Sequence, residues 1–223
     1  MIRPLVALGM LAVLAVPAQA GGRKRSDGSC LKALGRLVVK WSSARRRGIA
    51  IGVRVRGPLG GITYEQYDGE PLIIDCSLAV SLAAAGPWLT ALGFDRAIWS
   101  GAYHWRTIHF KNKRSKHSYG LAIDVHQYDG PGGVRFTVKD DYEQGLGDKI
   151  DCIGAPLTQG GLLLRTAECQ MARSGMFRFI LDPDYNAEHH HHFHIEVKPW
   201  AERTDDPIAI AARPQPAPPG PLP

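Results

Sequence analysis

Nine histidines occur in this 223-residue chain, and they are unevenly spread. One group lies in the string Ser115-Lys116-His117-Ser118-Tyr119-Gly120-Leu121-Ala122-Ile123-Asp124. An extended segment at 121–125 puts Leu121, Ile123 and Val125 on one face and Ala122, Asp124 and His126 on the other. Ala122 leaves room beside the carboxylate, and Gly120 permits a tight return of the chain that brings His117 over the strand. The second group is His189-His190-His191-His192-Phe193-His194-Ile195-Glu196-Val197. If 192–197 is extended, His192 and His194 share a face and Phe193 and Ile195 pack behind them. His117, Asp124 and His194 then form a set of two imidazoles and one carboxylate. Three protein ligands with a fourth position open to water is the pattern of catalytic zinc, whereas structural sites close with four. One Zn2+ per chain is the expectation.

The elements that must hold these residues follow from periodicity and punctuation. Leu31, Leu34, Leu37 and Val38 recur at helical spacing and predict a helix over 29–43. Residues 48–55 read as a strand. Residues 72–92 read as one or two helices, with Asp75 as a candidate cap and Gly86-Pro87 as an interruption. Short strands are expected near 97–99, 121–125, 134–138, 176–181 and 192–197, and a helix over 161–171. Residues 101–118 and 140–161 read as a basic loop and a polar excursion. Short strands mixed with helices, without regular βαβ alternation, imply an α+β domain.

Residues 1–20 do not belong to that domain. Arg3, the apolar run 5–16 and Ala18-Gln19-Ala20 have the layout of a secretory signal peptide. The apolar run is short for a membrane span, and no later segment is long enough for one. The expected organisation is therefore a signal peptide at 1–20, a flexible lead-in at 21–28, a domain at 29–202 and a proline-rich solvated tail at 203–223. Export to the periplasm or cell envelope allows disulfides. The four cysteines permit three pairings. The sequential one, Cys30 with Cys76 and Cys152 with Cys169, is favoured. No CxxC unit suggests a zinc–thiolate site. The net charge of +6 includes the clusters Arg23-Lys24-Arg25 and Arg45-Arg46-Arg47. Outside the cytoplasm that charge suits anionic envelope polymers rather than nucleic acid.

The strings SKHSYGLAID and HFH resemble the SxHxxGxAxD and HxH motifs of zinc peptidases that include D-alanyl-D-alanine carboxypeptidases and related murein endopeptidases. More narrowly, GAYHWR, RSKHSYGLAIDVHQYDG and FILDPDYNAEHHHHFHIEV, in that order, resemble the extensin-like C-terminal domain family over roughly residues 29–200. The resemblance implies a small antiparallel sheet with flanking helices, in a hedgehog-like or D-Ala-D-Ala-peptidase-like zinc fold. By position, it implies His117, Asp124 and His194 as ligands and His192 as catalytic base. It also implies Arg106 as a stabiliser of the oxyanion, and Ser115 as a group that holds substrate or orients the ligand loop. The chain departs from the family at Trp105 and Ser174, near which relatives carry cysteines.

The function this implies is zinc-dependent hydrolysis of peptide bonds in peptidoglycan stem peptides or cross-links. Two alternatives stand beside it. One is a non-catalytic zinc-containing module of the envelope or peptidoglycan. The other is an extracytoplasmic metal-binding protein using the histidine run.

Overall fold

The computed structural model describes residues 26–108 and 111–213. The leader at 1–20, the basic run at 23–25, His109 and the proline-rich residues from 214 onward lie outside those. Helix α1 (Asp27–Arg36) leads into strands β1 (Trp41–Ser43), β2 (Gly52–Val55), β3 (Thr63–Gln66) and β4 (Ile73–Asp75). Helix α2 (Cys76–Ala91) follows, then β5 (Arg96–Gly101), β6 (Ala122–Asp129), β7 (Arg135–Thr137) and the short α3 (Val138–Asp141). Helix α4 (Gln159–Arg173), β8 (Phe179–Leu181), β9 (Phe193–Glu196) and α5 (Pro207–Ala211) complete the order.

The class is α+β, as expected, but the sheet arrangement is richer than one antiparallel sheet. Strands β1, β2 and β4 form a three-stranded antiparallel sheet. The second sheet has the order β3-β5-β6-β9-β8 and is mixed, because β3 runs parallel to β5. The early half of β6 pairs with β9 and its later half with β7. Both β1 and β3 escape a hydrophobic-pattern reading because they are only half buried.

Helix α2 is the core of the molecule. It buries residues around its whole circumference, from Cys76 to Leu89, which is what a helix that is apolar all round must do. Asp75 caps it, its Oδ1 accepting from the Ser77 amide at 2.9 Å and the Ser77 hydroxyl at 2.7 Å. The expected break at Gly86-Pro87 does not occur, and the helix runs on to Ala91. Pro87 removes the donor that the Ala83 carbonyl would normally receive. The turn at Gly60 packs against that carbonyl so closely that a Cβ on Gly60 would sit 2.1 Å from it.

Three boundaries differ from expectation. The first helix stops at Arg36, and residues 41–43 become β1. Residues 73–75 are a strand entering α2 rather than the first turn of it. Residues 203–213 are folded rather than a solvated tail. Arg203 is 4% exposed, donates to the Ser77 carbonyl and the Ser81 hydroxyl on α2, and pairs with Asp205. Proline richness begins beyond these residues, and Ile208 and Ile210 supply the apolar contacts of α5 to the core.

Two disulfides, Cys30–Cys76 and Cys152–Cys169, staple the ends of α1 and α2 and fasten the 142–158 loop to α4. The same loop is held by a buried ionic cluster. Arg165 donates to Glu168 at 2.9 Å and to the carbonyls of Gly147 and Ile153. Tyr142 donates to Glu168 at 3.0 Å, and Lys149 lies between Glu168 and Asp182. Glu168 is fully buried, and that burial pushes its carboxyl up to about 7 against the pull of Lys149 and Arg165. Among the described residues no helix is long and apolar enough to cross a membrane.

Removing Arg165 leaves Glu168 buried without its guanidinium and frees two loop carbonyls. Arg165→Ala should therefore cost about 3–5 kcal/mol in chemical denaturation. A change below about 1 kcal/mol would show that Lys149 alone suffices to hold the carboxylate.

Candidate metal centre

The site is built on strand register. Asp124 in β6 stands directly opposite His194 in β9 on one side and Gly101 in β5 on the other. The pattern of alternation places Ile123, Val125, Phe193 and Ile195 in the core at 0% exposure. Asp124 and His194 therefore project together from the opposite face.

His117 arrives from outside the sheet, on a 3-10 turn at Lys116–Tyr119. Ser115 is buried, and its Oγ accepts from the His117 amide at 3.4 Å, capping that turn. Its hydroxyl thus faces the ligand loop. Gly120 ends the turn at φ 63°, where a Cβ would lie 2.7 Å from the Asp75 amide nitrogen. That amide donates to the Gly120 carbonyl at 2.9 Å. The turn is thereby tied to the N-terminus of α2. On its other side, Ser118 Oγ accepts from the Arg106 amide at 2.8 Å and lies within donating distance of the His104 and Arg106 carbonyls.

His117, Asp124 and His194 converge, each offering a ligand atom to a common point. His194 Nδ1 lies 2.8 Å from Asp124 Oδ1 and 3.2 Å from His117 Nε2, and His117 Nε2 lies 3.3 Å from Asp124 Oδ2. A tetrahedron with zinc–ligand bonds of about 2.0–2.1 Å has edges of about 3.3–3.4 Å. The cluster needs to open by only about half an ångström at its shortest edge to fit that figure. Two nitrogens and one carboxylate also form a donor set that borderline divalent cations accept. The residues present fit the expected ion.

Asp124 and His194 shift each other in opposite directions. Burial works against the charged form of Asp124, but hydrogen bonds from His117 and His194 outweigh it and hold the carboxyl far below the usual range. Burial likewise opposes a charged His194, yet the hydrogen bond to Asp124 and the nearby Glu196 carboxylate raise it to about 9. Glu196 itself is 3.9 Å from His194 Nε2 and also pairs with Arg178 at 3.3 Å.

His192 sits one row along the same face. Its Nε2 is 3.6 Å from Asp124 Oδ1, and its ring is 5.2 Å from that of His126. Burial is the largest influence on it and lowers it to about 3 despite the attraction of Asp124. Arg106 is adjacent only through its backbone. Its side chain is exposed and makes no hydrogen bond or ion pair among the described residues.

Three neighbours were not singled out by sequence. The His104 ring is 6.4 Å from that of His117, and the His189 ring is 5.8 Å from that of His194. Gly101 lies beneath the carboxylate. The histidines belong to loops, where no periodicity reports direction, and Gly101 is recognisable only once its cross-strand partner is known.

This geometry lies within a recognisable segment. Residues 94–204 match the family described as extensin-like protein C-terminus. That extensin-like segment spans β5 to the start of the C-terminal residues, and so contains Gly101, His117, Asp124, His192 and His194. The elements before it, including α1 and all of α2, lie outside the match. No curated protein and no solved structure matches the chain significantly.

A Cβ added at Gly101 would lie 2.7 Å from Asp124 Oδ2. Gly101→Ala should displace the carboxylate and weaken Zn2+ binding about 10- to 100-fold, the range seen when supporting groups of a metal site are disturbed. Unchanged affinity by competition with a chromophoric chelator would show that Asp124 is not the ligand. A second expectation concerns pH. Because the apo His194 is raised to about 9, a cation must displace its proton at any lower pH. Apparent affinity should therefore climb by about tenfold per pH unit from 7 to 8.5, with proton release, rather than level off near 6.5. Calorimetry in buffers of different ionisation enthalpy reads both; a flat affinity over that range would contradict the paired proton.

Proposed function

We propose that this chain is an exported zinc-dependent hydrolase of peptide bonds in peptidoglycan, acting on stem peptides or cross-links. The observation that carries the reading is the convergence of His117, Asp124 and His194 to a single point with only three ligands, beside a fourth imidazole, His192. Zinc bound there would supply Lewis acidity, polarising a carbonyl and acidifying water.

The chain's own residues have distinct parts in this reading. His117, Asp124 and His194 hold the ion. Burial lowers His192 to about 3, so its ring carries a free lone pair at pH 7 but holds a proton weakly, and the base role in this reading requires that burial to be relieved when substrate or the ion is bound. Ser115 fixes the His117 turn and so acts as a positioning residue rather than a substrate contact. A groove lined by polar residues such as Arg46, Gln66 and Glu70 and by apolar ones such as Ile73 and Trp99 has His104 on its wall, and the His104 ring lies 6.4 Å from that of His117. Trp105, stacked between Arg47 at 4.1 Å and Arg114 at 4.3 Å, gives the same side a cationic rim suited to the acidic stems and anionic polymers of an envelope. The two disulfides and the leader-like N-terminus support an extracytoplasmic setting.

Arg106 decides between this reading and its rival. As the oxyanion donor it would have to turn in from solvent when substrate arrives. Its exposed, uncommitted guanidinium favours a zinc-containing binding module to the extent that it stays outside.

The mature protein loaded with zinc should release defined peptide fragments from purified sacculi, read by mass spectrometry. His192→Ala should retain one zinc and lose about 10²- to 10⁴-fold in rate, while His194→Ala should lose the metal and all turnover. A zinc-loaded wild type that binds sacculi and releases nothing would establish the binding module instead.

A further inference from the structure

The same face of the sheet carries a second gathering of histidines that the hydrolytic reading leaves unused. His126 follows Asp124 by two residues in β6, so it projects on the same side, one row further along. His191 and His192 come from the loop that enters β9. The three rings pack together at centroid distances of 4.9 Å (His126 to His191), 5.2 Å (His126 to His192) and 4.8 Å (His191 to His192). Each offers a ring nitrogen, and the three nitrogens lie within 4.8 Å of one another.

Hydrogen bonding does not account for this packing. His191 Nδ1 and His192 Nδ1 are both buried with no hydrogen-bond partner, and His192 as a residue is 9% exposed. A buried ring nitrogen left without a partner is costly, and a cation is one group that relieves it. His126 is the better satisfied of the three: its Nε2 lies 2.6 Å from Ser100 Oγ, and its ring also bonds the His191 backbone carbonyl. Ser100 is exposed and has a single rotatable hydroxyl, so it can give up the imidazole at little cost.

We propose that His126, His191 and His192 form a second cation site, distinct from the His117–Asp124–His194 centre. An all-imidazole donor set of this kind selects borderline transition-metal ions such as Zn2+, Cu2+ and Ni2+, and discriminates against Mg2+ and Ca2+, which require oxygen. His126 must give up Ser100 before it can ligate, and no carboxylate balances the charge of an ion here, so the site fills after the first centre and only when metal is in excess.

The site has a consequence that rests on the hydrolytic reading. An imidazole that gives one nitrogen to a cation keeps its proton on the other, so His192 could then donate but no longer accept a proton. Excess transition metal would thus silence the hydrolase without touching its first ion.

Calorimetric titration of the mature, tag-free protein with Zn2+ decides the site itself, independently of any activity. Wild type should take two ions, one tight and one weak. His191→Ala and His126→Ala should each lose the weak ion and keep the tight one, while His194→Ala should lose the tight ion. Mg2+ should give no second event. A wild type that takes a single ion, or a weak ion that survives both His191→Ala and His126→Ala, would overturn the proposal; the latter would assign weak binding to His189 and His190. Where hydrolysis is observed, rate against added Zn2+ tests the consequence. Inhibition should vanish in His191→Ala, and its persistence there would place the inhibitory ion elsewhere. An inactive wild type that still takes two ions would leave the second site standing and remove only the hydrolytic reading.

Discussion

The structure turns on one register, the alignment of Gly101, Asp124 and His194 across β5, β6 and β9. Side chains alternate along a strand, so a slip of one residue in either pairing would send a ligand into the core and a core residue into the cleft. Burial enforces the register from behind, where Ile123, Val125, Phe193 and Ile195 have no exposure. Moving any of them to the polar face would expose a large apolar side chain and cost about 1.5–3 kcal/mol each. The position of the polar site is thus fixed by apolar packing on the reverse of the same sheet. The shifts in register between Ile98 and Gly101 act in the same direction, since they bring the glycine rather than Ser100 beneath the carboxylate.

His117 obeys a different constraint, because no ladder holds it. Its turn is tied to Asp75, which serves three elements at once. The Asp75 carboxylate caps α2 through Ser77 and accepts from the Ile51 amide at 3.0 Å, while its own amide donates to Gly120. The small sheet, the core helix and the ligand turn therefore share one buried residue. The Cys30–Cys76 bridge then joins α1 to the helix at the adjacent position. The N-terminal elements, which lie outside the extensin-like match, are in this sense the foundation of the third ligand.

Much of this was readable from sequence, for physical reasons that can be named. Alternation around 121–125 and 193–197 is strict because one face is wholly buried. Asp75 announces itself as a cap because a short polar side chain stands just before an apolar run. The sequential cysteine pairing followed from simple proximity along the chain. What escaped was non-local or compensated. The parallel partnership of β3 with β5 leaves no trace in either strand's pattern. Pro87 sits inside α2 because a distant glycine turn packs where the helix lacks its hydrogen bond. The fold extends past Arg203 because a single buried guanidinium reaches back to Ser77 and Ser81, which composition cannot report. Within the site, His104 and His189 arrive on loops whose directions only tertiary packing sets.

The electrostatics of the cleft favour the proposed cation. Asp124 is one half-buried carboxylate facing His117, His194 and His192 within 3.6 Å. A single proton, held mainly by His194, can balance that carboxylate. The remaining ring nitrogens are then a surplus of lone pairs with too few hydrogens to share, and His192 Nδ1 and His191 Nδ1 are buried without any. Protonating more rings would satisfy them, but burial opposes gathering several positive charges in so small a space. A divalent ion resolves the conflict differently. It concentrates charge at one point, accepts several lone pairs at once and releases the proton it replaces. Burial lowers His126, His191 and His192, so these rings keep lone pairs that suit the proposed ion.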